Sequence, residues 1–175
     1  MIRVLTGLAR RAYTLADFGP IGSNWSCVMQ ITRAADYAVR VVIHLASLPV
    51  GVNVHRPDIA KATNVAASFL SKVLQQLVQA GMVASQRGSR GGFRLAVAIQ
   101  AISVLDVVEA IEGPIRLNTC LEPGPSCDRK GWCPAHEVWI EAQGALVNVL
   151  RNASVAGLAE KAAQALSAGS LPIRA

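Results

Sequence analysis

The chain has 175 residues, room for one domain or for a small domain with an appended module. Hydrophobic residues make up 52% and charged residues 16%, which suits a packed core and excludes a disordered chain. The net charge of +6 permits a nucleic-acid partner without establishing one.

Residues 1–28 carry Gly19-Pro20, Gly22 and Ser23 and show no sustained periodicity. They read as an N-terminal extension or disordered arm, with Met29 as the expected start and Cys27 incidental. Arg10 and Arg11 interrupt what would otherwise resemble a secretory signal, so a reducing cytoplasm is the expected compartment.

From Ile31 a helix is expected, with Ala34, Tyr37, Ala38, Val41, Val42 and Leu45 at helical spacing and Pro49-Val50-Gly51 as its stop. The apolar run Val39 to Val50 is broken by Arg40, His44, Ser47 and Pro49, so it does not read as a membrane span and no membrane partner is expected. Pro57-Asp58 opens a short second helix, Ile59 to Ala62, and Asn64-Val65 turns the chain. A third helix is expected from about Ala67 to Ala80, with Phe69, Leu70, Val73, Leu74, Leu77 and Val78 on one face and Gly81 as its cap. Between Met82 and Leu95 two strand-like runs flank a glycine-rich turn, which reads as a β-hairpin.

A fourth helix, about Ser103 to Ile111, has Ser103 as N-cap and Asp106 at the capping-box position. Gly113-Pro114 ends it, residues 117–135 read as a loop, and a long helix follows from about His136 to Arg151. That helix is apolar over a wider surface than one small domain needs, which points to a helix-to-helix homodimer seam. The expected fold class is mainly α with a small β-hairpin: a winged helix-turn-helix plus a long C-terminal dimerisation helix. The expected division is an arm at 1–28, a DNA-binding domain at 29–98, a loop with dimerisation helices at 99–166, and a tail at 167–175.

Charge follows this division. Residues 29–98 carry eight bases and two acids, whereas residues 99–175 carry six bases and eight acids. A positive block over the helix-turn-helix is the footprint of phosphate contact. The N-terminal end of the third helix offers Ser68, Ser71, Lys72 and Gln75 to a major groove. On the hairpin, Arg87, Arg90 and Arg94 stand among Gly88, Gly91 and Gly92, where the backbone can pass close to phosphates and an arginine can enter a narrow minor groove.

Cys120, Cys127 and Cys133 lie within fourteen positions, separated by glycine and proline and followed by His136. Three soft thiolates in a reducing compartment suit an iron–sulfur cluster, zinc or copper, with His136 as the local fourth ligand. No nucleophile motif, phosphate loop or carboxylate pair appears, so enzymatic activity is not expected.

These motifs together resemble the Rrf-two-type winged helix-turn-helix transcriptional regulators, the IscR/NsrR-like iron–sulfur family. The likeness runs from Met29 to about Lys161. It rests on Tyr37-Ala38-Val39-Arg40, Ile59-Ala60, Phe69-Leu70 with Leu74 and Leu77, and Gly81-Met82-Val83. It continues through Arg87-Gly88, Gly91-Gly92-Phe93 and Leu95, the stretch Asp106 to Gly113, and the three cysteines. The resemblance implies a homodimeric regulator, such as a repressor, that binds a palindromic operator in double-stranded DNA and senses through its cluster. It places Arg87 at the minor groove, Ser68 and Ser71 on the recognition helix, and Cys120, Cys127 and Cys133 at the cluster. His136 as fourth ligand corresponds to the 2Fe–2S branch, which is favoured; Asp36, from the partner's first helix, corresponds to the 4Fe–4S branch. The six-residue interval between Cys120 and Cys127 departs from the five of the familiar pattern. A zinc-stapled or cluster-free repressor is the alternative.

Overall fold

The computed structural model describes residues 31–88, 91–125 and 127–167. The 1–28 arm, Cys27, Arg90 and all but the first residue of the 167–175 tail lie outside the described residues.

The first helix, α1 (Arg33–Ala46), starts where the Thr32 hydroxyl accepts a hydrogen bond from the Ala35 amide at 3.3 Å. Ala35, Ala38, Val41, Val42 and Leu45 recur on its buried face. The second helix, α2 (Arg56–Thr63), is a turn longer than its apolar residues suggest, because Pro57 in its first turn gives up no needed amide donor. Asn64 closes α2 in a left-handed conformation at φ +53°. The third helix, α3 (Ala67–Gln79), buries Leu70, Val73, Leu74 and Leu77. Gly81, at φ +73°, follows it as expected. Phe69 departs from the expected core face: it is 54% exposed and meets Tyr37 edge-on at 6.1 Å between ring centroids.

Strands β1 (Val83–Gln86) and β2 (Gly92–Leu95) form the antiparallel hairpin, with Val83 opposite Leu95 and Gln86 opposite Gly92. Val54 joins it through reciprocal backbone bonds with Phe93, both 2.9 Å, which fasten the wing to the segment before α2.

Helix α4 (Val104–Glu112) opens with a complete capping box. The Ser103 hydroxyl accepts from the Asp106 amide at 3.2 Å, and the Asp106 carboxylate accepts from the Ser103 amide at 2.8 Å. After a short 3-10 turn at Thr119–Leu121 come α5 (Ala135–Asn152) and α6 (Val155–Ser167). The core runs through α1, α2, α3 and β1 and is completed by Ile102, Val107, Val155 and Ala159. Thus α6 packs back onto α1, while α5 lies against α4 and has no buried residue. A bridge joins Ser103 to Ser154, with the Val104 amide bonding the Ala153 carbonyl and the Val155 amide bonding the Ile102 carbonyl, each at 2.9 Å. No described helix is long and apolar enough to cross a membrane.

Candidate nucleic-acid interface and cysteine loop

The candidate interface comprises α3 and the wing. Ser68, Lys72 and Gln75 are exposed on α3, and Ser71 is half-buried. Arg87 is exposed where the hairpin turns, and Arg94 is half-buried on β2 opposite Ala84. Between α3 and the wing lies a cleft of about 560 Å³. Ser71, Gln75, Arg87, Gly91 and Gly92 line it, together with His55 and Arg56 from the start of α2. Among the described residues no acidic side chain lines this cleft, while Arg56 and Arg87 do, so these residues give it a positive field. Asn53 steadies the wing by donating to Gln86 Oε1 at 2.9 Å. The fold therefore brings Ser71, Gln75 and Arg87 onto one concave face, whereas Lys72 lines a separate cleft with Phe69, Gln76 and Glu112.

Arg56 is a site residue that the sequence pattern does not mark. Its guanidinium donates to Ser71 Oγ at 3.0 Å, a link between residues fifteen positions apart that no local pattern reveals. The available signal was a cation in the first turn of a helix, where the macrodipole disfavours it.

Asp36 accepts an ion pair from Arg40 at 2.7 Å, one helical turn away. Both side chains are about half exposed, so the pair contributes little stability, below about 1 kcal/mol.

The cysteines occupy successive turns ahead of α5. Cys120 is buried in the Thr119–Leu121 turn, and Cys127 and Cys133 are half-buried; all three are free thiols. The Cys133 amide donates to Arg129 O at 2.9 Å, and the His136 amide donates to Cys133 O at 3.0 Å, which places His136 at the start of α5 directly after Cys133. Cys133 and His136 line one concavity with Trp132 and Pro134. The loop is fastened to α5 by the Leu117 amide, which donates to Gln143 Oε1 at 3.1 Å. Among the described residues, no three histidine, cysteine, aspartate or glutamate side chains gather into a set that could hold a metal. The structure thus pairs Cys133 with His136 but does not assemble the four-ligand set expected from sequence.

The donors nevertheless suit a cluster chemically. Three free thiols are the soft ligands that iron–sulfur centres take. His136 Nδ1 is buried without a hydrogen-bond partner, a costly arrangement unless something occupies it.

The sequence profile of the family described as Rrf2, iron-dependent transcriptional regulator, matches residues 31–161. Protein aau3 of Rhizobium meliloti strain 1021 is 33% identical over 129 residues, covering 73% of this chain and 82% of the relative. Protein rrf2 of Nitratidesulfovibrio vulgaris Hildenborough is 31% identical over 130 residues, covering 74% and 87%. Among solved structures, the global cysteine regulator CymR (YrzC) of B. subtilis superposes with a TM-score of 0.63 at 28% identity, over 77% of this chain and 98% of CymR. T. potens IscR, at 23% identity, shares the fold with a TM-score of 0.60, over 78% of this chain and 90% of its own. The chain belongs to the Rrf2 family of winged-helix transcriptional regulators, proteins that act on transcription and are not enzymes.

Proposed function

We propose that this regulator binds a palindromic operator as a homodimer in the cytoplasm and that an iron–sulfur cluster controls its affinity. Residues 29–98 form the reading head and residues 99–166 the sensing and dimerising part. Ser68, Ser71, Lys72 and Gln75 enter the major groove side of the interface, and Arg87 with Arg90 approaches the minor groove along the wing.

Dimerisation is supported by α5. Val138, Ala142, Ala145 and Val149 are all exposed and fall at spacings of four, three and four, an apolar stripe with small residues at its centre. A second α5 covers such a stripe, and a two-fold pair of heads fits paired half-sites about one helical turn, roughly 34 Å, apart.

The sensing part is carried by one observation, the buried and unpartnered His136 Nδ1 beside Cys133. Cys120, Cys127, Cys133 and His136 would hold the cluster. Bound there, it supplies a centre that reacts with oxidants and nitric oxide and depends on iron supply. A 2Fe–2S cluster suits the histidine better than a 4Fe–4S cluster does. Asp36, the alternative fourth ligand, is already paired with Arg40 on its own helix. The protein's own part is mechanical. The loop at 117–135 is rich in glycine and proline, so ordering it costs entropy that ligand bonds offset. His136 sits at the first turn of α5, so the order of the loop is transmitted to the dimer helix and to the spacing of the two heads.

The test is an anaerobic absorption spectrum with iron, sulfide and zinc assays. Visible absorption that is lost in Cys120→Ala, Cys127→Ala and Cys133→Ala supports the cluster, since closed-shell zinc is colourless. Stoichiometric zinc without sulfide would leave the zinc-stapled repressor in its place.

A further inference from the structure

We propose that Arg56 grips a DNA phosphate and that Ser71 is a positioning residue acting through it, not a base-reading contact. This rests on the reading of α3 and the wing as the DNA interface.

The Ser71 hydroxyl is committed on both sides. It donates to Ala67 O at 3.0 Å, within its own helix, and accepts from Arg56 Nη1 at 3.0 Å. A serine hydroxyl has one donor, and here it is spent on the backbone. Only a single acceptor position remains free.

Arg56 is the opposite case. Its guanidinium carries five donors in a planar fork, one of which reaches Ser71. Among the described residues no carboxylate pairs with it, and the cleft it lines holds no acid. Its position in the first turn of α2 opposes the helix dipole, so local helix energetics do not explain it. Tied to Ser71, the exposed fork lines the α3–wing cleft, with its remaining donors available to a planar pair of phosphate oxygens. His55 and, from the wing, Arg87 line the same cleft. A DNA backbone strand crossing between the recognition helix and the wing meets this fork first. The chemistry is that of a phosphodiester, which carries no base identity, so Arg56 sets register and general affinity.

The test uses the full chain and a duplex that the wild-type protein selects from a random-sequence pool, with an unselected duplex beside it. Affinities are measured by fluorescence anisotropy over a series of salt concentrations. Arg56→Ala should weaken both duplexes by a similar factor, about tenfold, and lower the slope of log K against log salt by about 0.9. Ser71→Ala should weaken binding about threefold with the slope nearly unchanged, because the guanidinium charge stays but its aim is lost. In the Arg56→Ala background, Ser71→Ala should cost nothing further. Arg56→Lys should keep the slope, and Arg56→Gln serves as the neutral variant should Arg56→Ala fold poorly. Unchanged slope and affinity in both neutral variants overturn the phosphate role. Equal Ser71→Ala losses in both backgrounds overturn the positioning role and return Ser71 to direct contact. A wild-type protein that selects no duplex removes the interface reading itself, an outcome distinct from either.

Discussion

Gly92→Ala tests how the wing is fastened. Gly92 begins β2 at φ +147°, a conformation that side-chain-bearing residues rarely adopt. A Cβ there would meet Val54 O at 2.6 Å and Val54 C at 2.9 Å, both backbone atoms that cannot swing aside. Relief requires Val54 and β2 to part, which breaks the two Val54–Phe93 bonds. Two backbone bonds at about 1 kcal/mol each, with strain of about 1 kcal/mol, put the cost near 3 kcal/mol. Urea unfolding followed by circular dichroism reads this loss, and hydrogen exchange at the Val54 and Phe93 amides reads its location. DNA affinity should fall as well, because the wing that carries Arg87 loses its anchor. Gly131→Ala is the control: its added Cβ meets nothing within 4 Å, and the change should stay within about 0.5 kcal/mol. A Gly92→Ala protein as stable as this control, with both amides still protected, would refute the account of the Val54 bridge.

Three further outcomes follow from the same structure. Ser103→Ala removes the hydroxyl half of the α4 capping box and should cost about 1 kcal/mol in urea unfolding, with Ser103→Asn restoring most of it. Burial holds the His44 imidazole below its ordinary range, so the fold favours the neutral form; stability should be level above about pH 6.5 and fall as pH drops through the depressed value, a loss absent in His44→Gln. Val138→Glu with Val149→Glu places charge on the exposed α5 stripe and should shift sedimentation from dimer to monomer without loss of helical content.

Sequence pattern carried the elements whose causes are local. The Ser103–Asp106 capping box and the stop at Gly81 depend on residues within a turn of one another and appear as expected; in α1 Ala38, Val41, Val42 and Leu45 are buried as their spacing implies, while Ala35 takes the buried place expected for Ala34, and Tyr37 is half-buried. Phe69 shows the limit of periodicity. It falls on the apolar arc of α3 but at its flank, where the position of α1 leaves it half outside against Tyr37. Helix α6 is hard to distinguish in the sequence, because its alanine-rich stretch offers little contrast between faces and its burial depends on α1, more than a hundred residues earlier. The tie from Arg56 to Ser71 is likewise tertiary. The three cysteines are plain in the sequence, but among the described residues they do not gather into a metal-holding set; Cys133 and His136 adjoin because only two residues separate them.

The bridge between Ser103 and Ser154 sits just beyond the last turn of α5 and ties that end to the start of α4. It makes α5 a lever with a fixed fulcrum. The eighteen residues of the helix span about 27 Å, so its other end, at His136, lies far from the pivot. A tilt of about 5° about the fulcrum carries the His136 end through roughly 2 Å, while Ser154 scarcely moves. A displacement beside the cysteines would thereby be large at the His136 end of α5 and small where α6 joins the core.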